Sequence, residues 1–289
     1  MRTPVVRRVS HLPLLVLIVG AAIALSCARS PSPLPDEYPR PVIVFVHGAW
    51  AGGWHYTKVQ PLLEEAGYRV YRPTMTGLGE RVHLAREDVG LSTHIQDIVN
   101  VLEFEDLHDV VLVGHSYGGM VISGVANRVP DRIRKLVYLD AIVPEDGESV
   151  MNLAGDAINT MAEAGAGGAP PWQLVPLWVK PGKLPPVDVP QSLLTFTEPI
   201  VLDNPDANST PAAYILTVEA GKDSDSFDVF ADRARARHWQ VVTMEGGHNP
   251  QWFQPEALAE VLLGVVGEGA PPEGTRTTTG QSGLPKPTS

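Results

Sequence analysis

The sequence predicts an α/β fold, with a mostly parallel sheet carrying helices on both faces. Three observations predict it. Short apolar, β-branched runs recur along the chain, amphipathic stretches of helical spacing separate them, and one glycine-rich turn joins a run directly to a helix. The runs are residues 42–46, 68–71, 110–113, 136–139, 213–218 and 240–244. Their near-continuous apolar character suits strands covered on both faces, as parallel strands are. Between them, residues 56–66, 92–104, 118–128, 226–238 and 255–266 have helical spacing. In 92–104, Ile95, Ile98, Val99 and Leu102 share a face, and Ser92 or Thr93 is the expected cap. Pro255 suits a first helical turn.

Residues 144–211 break this alternation. Prolines from Pro170 to Pro211 argue against long regular elements, so this stretch is expected to be a proline-rich cap over the C-terminal edge of the sheet. Trp172, Trp178 and several leucines give it something to bury. The fold domain is therefore expected over 42–267, with a disordered Gly/Pro/Thr/Ser tail at 268–289.

The N-terminus is of another kind. Arg2, Arg7 and Arg8 precede an apolar run at 12–25, which ends in Ser26-Cys27. A basic start, a short apolar segment and a small residue before the cut describe a signal peptide over 1–26. The run is short of the roughly 20 apolar residues that a membrane span needs. Ile23-Ala24-Leu25-Ser26-Cys27 resembles a bacterial lipobox, which makes Cys27 the expected lipidation site and the protein an exported envelope lipoprotein. The prolines of 27–41 read as an extended tether.

Composition limits the function classes. At 289 residues and 44% hydrophobic, the chain can bury a full core. A net charge of −11 leaves no basic footprint for nucleic acid. The single cysteine cannot form an internal disulfide.

The chemistry is concentrated in three motifs. Gly114-His115-Ser116-Tyr117-Gly118 follows one strand and opens a helix, the setting of a G-x-S-x-G nucleophile elbow. Ser116 is thus the candidate nucleophile, and His115 occupies the variable position of the motif. Small residues at 114, 118 and 119 let the turn close. The loop after the first strand, His47-Gly48-Ala49-Trp50 with Gly52-Gly53-Trp54, is placed to supply one oxyanion amide, and the residue after the nucleophile supplies the other. The candidates are the N–H groups of Ala49 and Tyr117, with His47 as a brace for the loop. Gly246-Gly247-His248 follows the last strand run and puts His248 in the order Ser, acid, His. Of the other histidines, His11, His55, His83, His94, His108 and His238 carry no such context and are expected at the surface or in the core.

The acid stays open between positions. Asp140 ends the run 136–139 and would be fixed at a strand end, which makes it the first choice. Asp223 sits in a Gly-x-Asp context on the loop after 213–218, at an offset about a residue too long, and is the alternative. Glu219 on the same loop comes third.

Phe45-Val46-His47-Gly48-Ala49-Trp50, Gly53-Trp54, Gly114-His115-Ser116-Tyr117-Gly118-Gly119 and Gly246-Gly247-His248 resemble the plant methylesterase and hydroxynitrile-lyase group of α/β-hydrolases and its bacterial esterase relatives. The resemblance is good over 42–145, moderate over 212–265 and poor in the cap. It implies the α/β-hydrolase fold, a site beneath a cap, no metal and no cofactor. The expected function is hydrolysis of a small-molecule carboxylic ester, lactones included, through an acyl-enzyme. Membrane contact is expected only through a lipid on Cys27. A hydroxynitrile lyase is the enzymatic alternative, but such lyases carry threonine where this chain has Gly48 and lysine where it has Asn249. A non-catalytic small-molecule-binding protein on the same scaffold is the alternative of another class.

Overall fold

The computed structural model describes residues 40–165, 169–267 and 276–278. The expected signal peptide and most of the tether, Cys27 included, lie outside the described residues, as does the tail apart from 276–278.

In chain order the strands are β1 (Ile43–Val46), β2 (Val70–Tyr71), β3 (Val110–His115), β4 (Ile133–Leu139), β5 (Gln173–Leu174), β6 (Gln191–Ser192), β7 (Ala212–Val218), β8 (Gln240–Glu245) and β9 (Arg276–Thr278). Seven of them form one sheet in the order β2-β1-β3-β4-β7-β8-β9, parallel up to β8 and closed by the antiparallel β9. The chain runs outward from β1 to β2, then returns to β3 on the other side. Loops leaving β1 and β3 therefore diverge, and the crevice between them is where open α/β sheets bind ligands.

Alternation along each strand divides the core in two. Val44, Val46, Val110, Leu112, Leu136, Tyr138, Tyr214 and Val241 face the helices Leu91–Phe104, Gly118–Arg128 and Asp228–Ala236. Ile43, Phe45, Val111, Val113, Val137, Ile215 and Val242 face the helices Val59–Glu65 and Pro255–Val266. All these strand residues are buried, which is why their sequence shows runs rather than alternation. The Leu91–Phe104 helix begins one residue earlier than expected. Its N-cap is Gly90, and Thr93 acts from the third position by accepting from the Gly90 N–H.

The cap differs from expectation in two ways. A 16-residue helix, Val150–Gly165, forms in it, broken by a non-helical residue at Ala154. The prolines counted against long elements begin only at Pro170, and the stretch before them is free to coil. The cap is buried less through its tryptophans than through Leu174, Phe196 and Ile200, and Trp178 stays 54% exposed. The short β5–β6 hairpin is antiparallel. At the cap's start, Glu148 takes a two-pronged ion pair from Arg233, tying it to the Asp228–Ala236 helix.

Within the expected tail, residues 276–278 are described. Arg276–Thr278 pairs with the otherwise open edge of β8 through Thr243↔Arg276, Val242↔Thr277 and Val241↔Thr278. Its threonines are β-branched and suit a strand, and the pairing satisfies an edge that would face solvent.

Candidate active site

β3 and β4 end side by side, with His115 opposite Leu139. The next residue on each strand is turned into left-handed backbone: Ser116 has φ 53° and Asp140 φ 43°. Such a conformation costs an L-residue on the order of 1–2 kcal/mol. The surrounding ladder holds it in place. Ser116 N–H donates to Leu139 O at 3.3 Å, its carbonyl accepts from Gly119 N–H at 3.0 Å and Ile142 N–H at 3.1 Å, and Asp140 N–H donates to Ile215 O at 2.7 Å. Gly119 is required here because a Cβ at that position would collide with the Ile142 carbonyl.

His248, carried on the loop after β8, joins the two turns. Its Nε2 lies 3.0 Å from Ser116 Oγ and its Nδ1 lies 2.7 Å from Asp140 Oδ2. Asp140 is fully buried, and its other oxygen accepts from the Thr217 N–H at 3.1 Å. A carboxylate only accepts, so Nδ1 holds the imidazole proton and Nε2 is free to accept from the serine hydroxyl. The ring stacks on Phe227 with centroids 4.7 Å apart. Of the alternative acids, Asp223 is exposed and hydrogen-bonds nothing among the described residues, and exposed Glu219 pairs with Lys222.

His115, at the variable position of the elbow, has a place that its sequence context did not reveal. It is buried, and its Nε2–H donates to the backbone carbonyl of His248 at 2.7 Å. Burial and the neighbouring His248 hold its pKa well below the usual value, so it is neutral. It fixes the backbone that carries His248.

The N–H groups of Ala49 and Tyr117 donate to no backbone or side-chain acceptor among the described residues. Buried His47 shapes the first loop by accepting from Met75 N–H through Nε2 at 3.1 Å and donating through Nδ1–H to Gly48 O at 2.8 Å. A Cβ on Gly48 would lie 2.8 Å from His115 Nδ1, so this chain has no room for the threonine of the lyases without a shift. Trp50, at φ 62°, ties the same loop to the cap. Its N–H donates to Gln191 Oε1 at 2.7 Å, its indole N–H to Leu174 O at 3.0 Å, and its carbonyl accepts from Val189 N–H at 2.8 Å. Tyr117 is held through its hydroxyl, 3.0 Å from Nδ1 of buried His94, whose other nitrogen donates to Thr76 O.

A cavity of about 320 Å³ opens over these groups, lined by Ala49, Trp50, Ser116, Trp178, Asp188 and His248 among others. A larger one of about 500 Å³ beside Ser123, Tyr138 and Arg237 lacks a serine–histidine pair, and the Ser123 hydroxyl is occupied with Gly119 O and Tyr138. Sequence reasoning missed His55, Trp178 and Asp188 as cavity-lining residues. Trp178 and Asp188 lie in the cap, where no periodic pattern marks a face.

Burial pushes His47 and His94 down to about pKa 4. Between about pH 6.5 and 4 the unfolded chain therefore binds protons that the native chain refuses. The stability these neutral rings contribute is full above that window and is lost as pH falls through it. Urea unfolding at pH 7, 5.5 and 4.5 is expected to show a decline of up to about 1.4 kcal/mol per pH unit for each ring. His94→Gln should flatten part of that slope, and an unchanged slope would contradict the assignment.

A model of the alpha/beta hydrolase family matches residues 43–261. The chain is 41% identical over 241 residues to a carbendazim hydrolyzing esterase from a Nocardioides species, covering 77% of this chain and 98% of that protein. It is 25% identical over 275 residues to methylesterase 8 of Arabidopsis thaliana, covering 87% and 97% of the two chains. Among solved structures, an extracellular alpha/beta-hydrolase from a Paenibacillus species superposes with a TM-score of 0.65 at 21% identity, over 78% of this chain and 98% of that one.

Proposed function

Since the chain belongs to the alpha/beta hydrolase family, we propose that it hydrolyses small carboxylic esters through an acyl-enzyme on Ser116. The observation that carries this reading is the unbroken hydrogen-bond chain from Ser116 through His248 to Asp140 beneath a cavity. Ser116 Oγ attacks the ester carbonyl while His248 Nε2 takes the hydroxyl proton. The carbonyl oxygen, now an anion, accepts from the N–H groups of Ala49 and Tyr117, an effect of about 3–4 kcal/mol per donor in comparable sites. The carbon–oxygen bond to the alcohol breaks as His248 returns its proton to the leaving oxygen. Water then attacks the acyl carbon, giving a proton to His248. Collapse frees the acid, and the proton goes back to Ser116.

Two relatives, an esterase named for carbendazim and a plant methylesterase, support esters of small molecules as the substrates. The test is turnover of a panel of aryl, alkyl and lactone substrates by the purified protein, with the Ser116→Ala variant as the blank. Hydrolysis of no member would overturn the reading. Gly48 and Asn249 speak against a cyanohydrin-cleaving activity, since the second position offers no cation for a cyanide leaving group.

For the N-terminal segment we propose export with lipidation at Cys27, supported by the basic start, the short apolar run and the position of the sole cysteine. A fatty-acid probe fed to expressing cells should tag the protein, and Cys27→Ala should abolish the tag. A mature chain cut elsewhere, with an unmodified cysteine, would leave ordinary secretion.

A further inference from the structure

Ala49 lies between two peptide planes, and a buried side chain holds each of them. The first plane joins Gly48 to Ala49. Its carbonyl accepts from the Nδ1–H of fully buried His47 at 2.8 Å. A trans peptide sets its N–H opposite its carbonyl, so this bond also aims the Ala49 N–H. The second plane joins Ala49 to Trp50. Its N–H donates to Gln191 Oε1 at 2.7 Å. His47 follows β1 directly, whereas Gln191 lies on β6 of the cap, 141 positions beyond Trp50. Trp50 has φ 62°, a left-handed conformation that a bulky L-residue adopts only where its surroundings impose it. Without the Gln191 oxygen the second plane loses its acceptor and turns toward ordinary backbone, and Ala49 turns with it.

The Gln191 amide is not free to flip. Its side chain is buried, at 1% exposure, and so is Thr195 beside it. Thr195 Oγ1 donates its proton to Ser192 O at 2.7 Å. It therefore offers only lone pairs to Gln191, whose Nε2 donates to it at 2.7 Å. This turns the Gln191 oxygen toward the Trp50 N–H. The reverse orientation would set the NH₂ against the Trp50 N–H and the oxygen against the Thr195 lone pairs, leaving buried polar groups unpaired at both ends.

We propose that Gln191 is a positioning residue for the oxyanion hole. It touches no reacting atom and acts through the Trp50 N–H on the Ala49 amide. This rests on the ester-hydrolase reading above, in which the N–H groups of Ala49 and Tyr117 receive the anion. Stabilisation of that anion depends on donors already aimed at its position, so a turned Ala49 plane slows the chemical steps and leaves ground-state binding in place.

The test compares Gln191→Met and Gln191→Glu with the wild-type protein. Kinetics on p-nitrophenyl acetate give kcat and KM, and a fluorophosphonate gives the rate of labelling at Ser116. The phosphonyl oxygen gains negative charge as Ser116 attacks, so labelling reads the same hole without need of ester turnover. Methionine keeps the length and removes the acceptor. It should lower kcat and the labelling rate by about ten- to a hundredfold, less than the 10²–10³ for outright loss of an oxyanion donor, with KM within about twofold. Glutamate keeps an oxygen for the Trp50 N–H. At pH 6, where burial favours the protonated acid, it also replaces the donor to Thr195, so it should retain most of kcat. Thermal melts check that both variants fold. Gln191→Asn, whose oxygen stops one carbon short of the Trp50 N–H, takes the place of Gln191→Met if that variant does not. A raised KM with kcat and labelling near wild type shows a residue that only shapes the cap and overturns the proposal. Equal losses in Gln191→Met and Gln191→Glu show packing in place of the hydrogen bond and overturn it as well. A wild-type protein that labels but turns over no ester overturns the hydrolase reading beneath it, and the labelling rates still decide the role of Gln191.

Discussion

Ser116→Ala is expected to reduce kcat by about 10⁶, the loss seen when the nucleophile of such a triad is removed. Nothing else in the cavity can replace it. Ser123 lies beside a different cavity with its hydroxyl bound to Gly119 O, and the chain's one cysteine is Cys27. Alanine keeps the Cβ that the φ 53° turn already accommodates, so the strain at the elbow is unchanged. Thermal melts should therefore remain near wild type while turnover disappears. A fluorophosphonate should label the wild-type protein at Ser116 and leave the variant unlabelled. Equal labelling of both would sink the assignment.

Asp140→Asn should cost about 10⁴ in kcat, and the local hydrogen bonds show why. One oxygen of Asp140 accepts from the Thr217 N–H and the other from His248 Nδ1. An asparagine has a single carbonyl oxygen. Giving it to Thr217 turns the amide NH₂ toward His248, which must then accept at Nδ1 and carry its proton on Nε2. The nitrogen facing Ser116 becomes a donor and can no longer take the hydroxyl proton. Turning the amide the other way sets its NH₂ against the Thr217 N–H in a fully buried site. Asparagine tolerates left-handed backbone, so the φ 43° turn should survive. Exposed Asp223→Asn is the control, expected within about 0.5 kcal/mol in stability and near wild type in kcat/KM. A nearly active Asp140→Asn beside an inactive Asp223→Asn would reverse the assignment and leave the nucleophile untouched.

What the sequence revealed followed from local physics. The runs at β1, β3 and β7 are apolar because both faces of those strands are covered, and the elbow announces itself because Gly119 must lie against the Ile142 carbonyl. The helix Val150–Gly165 was hidden because proline density was averaged over the whole insertion, although its own residues contain none. Asp140 could be placed at a strand end from sequence, but its distance from His248 depends on how two loops far apart in the chain converge. His115 shows the same limit: its partner is a backbone carbonyl 133 positions away, which leaves no trace in residue type. Asp188 sits in a stretch with neither period nor motif.

Trp50 carries a consequence for how this enzyme can change. Ala49 and Trp50 are consecutive, and the three hydrogen bonds of Trp50 run to Leu174, Val189 and Gln191 of the cap. The segment that covers the cavity thus also positions the loop carrying the Ala49 amide. Speed and selectivity are not separable modules in this architecture. A chimera that grafts a foreign cap onto this sheet inherits a new preference, but it also loses the Gln191 acceptor and unmoors Ala49. Divergence toward new ligands is therefore channelled into side chains that line the cavity, while the backbone of the hairpin that holds Trp50 stays in place.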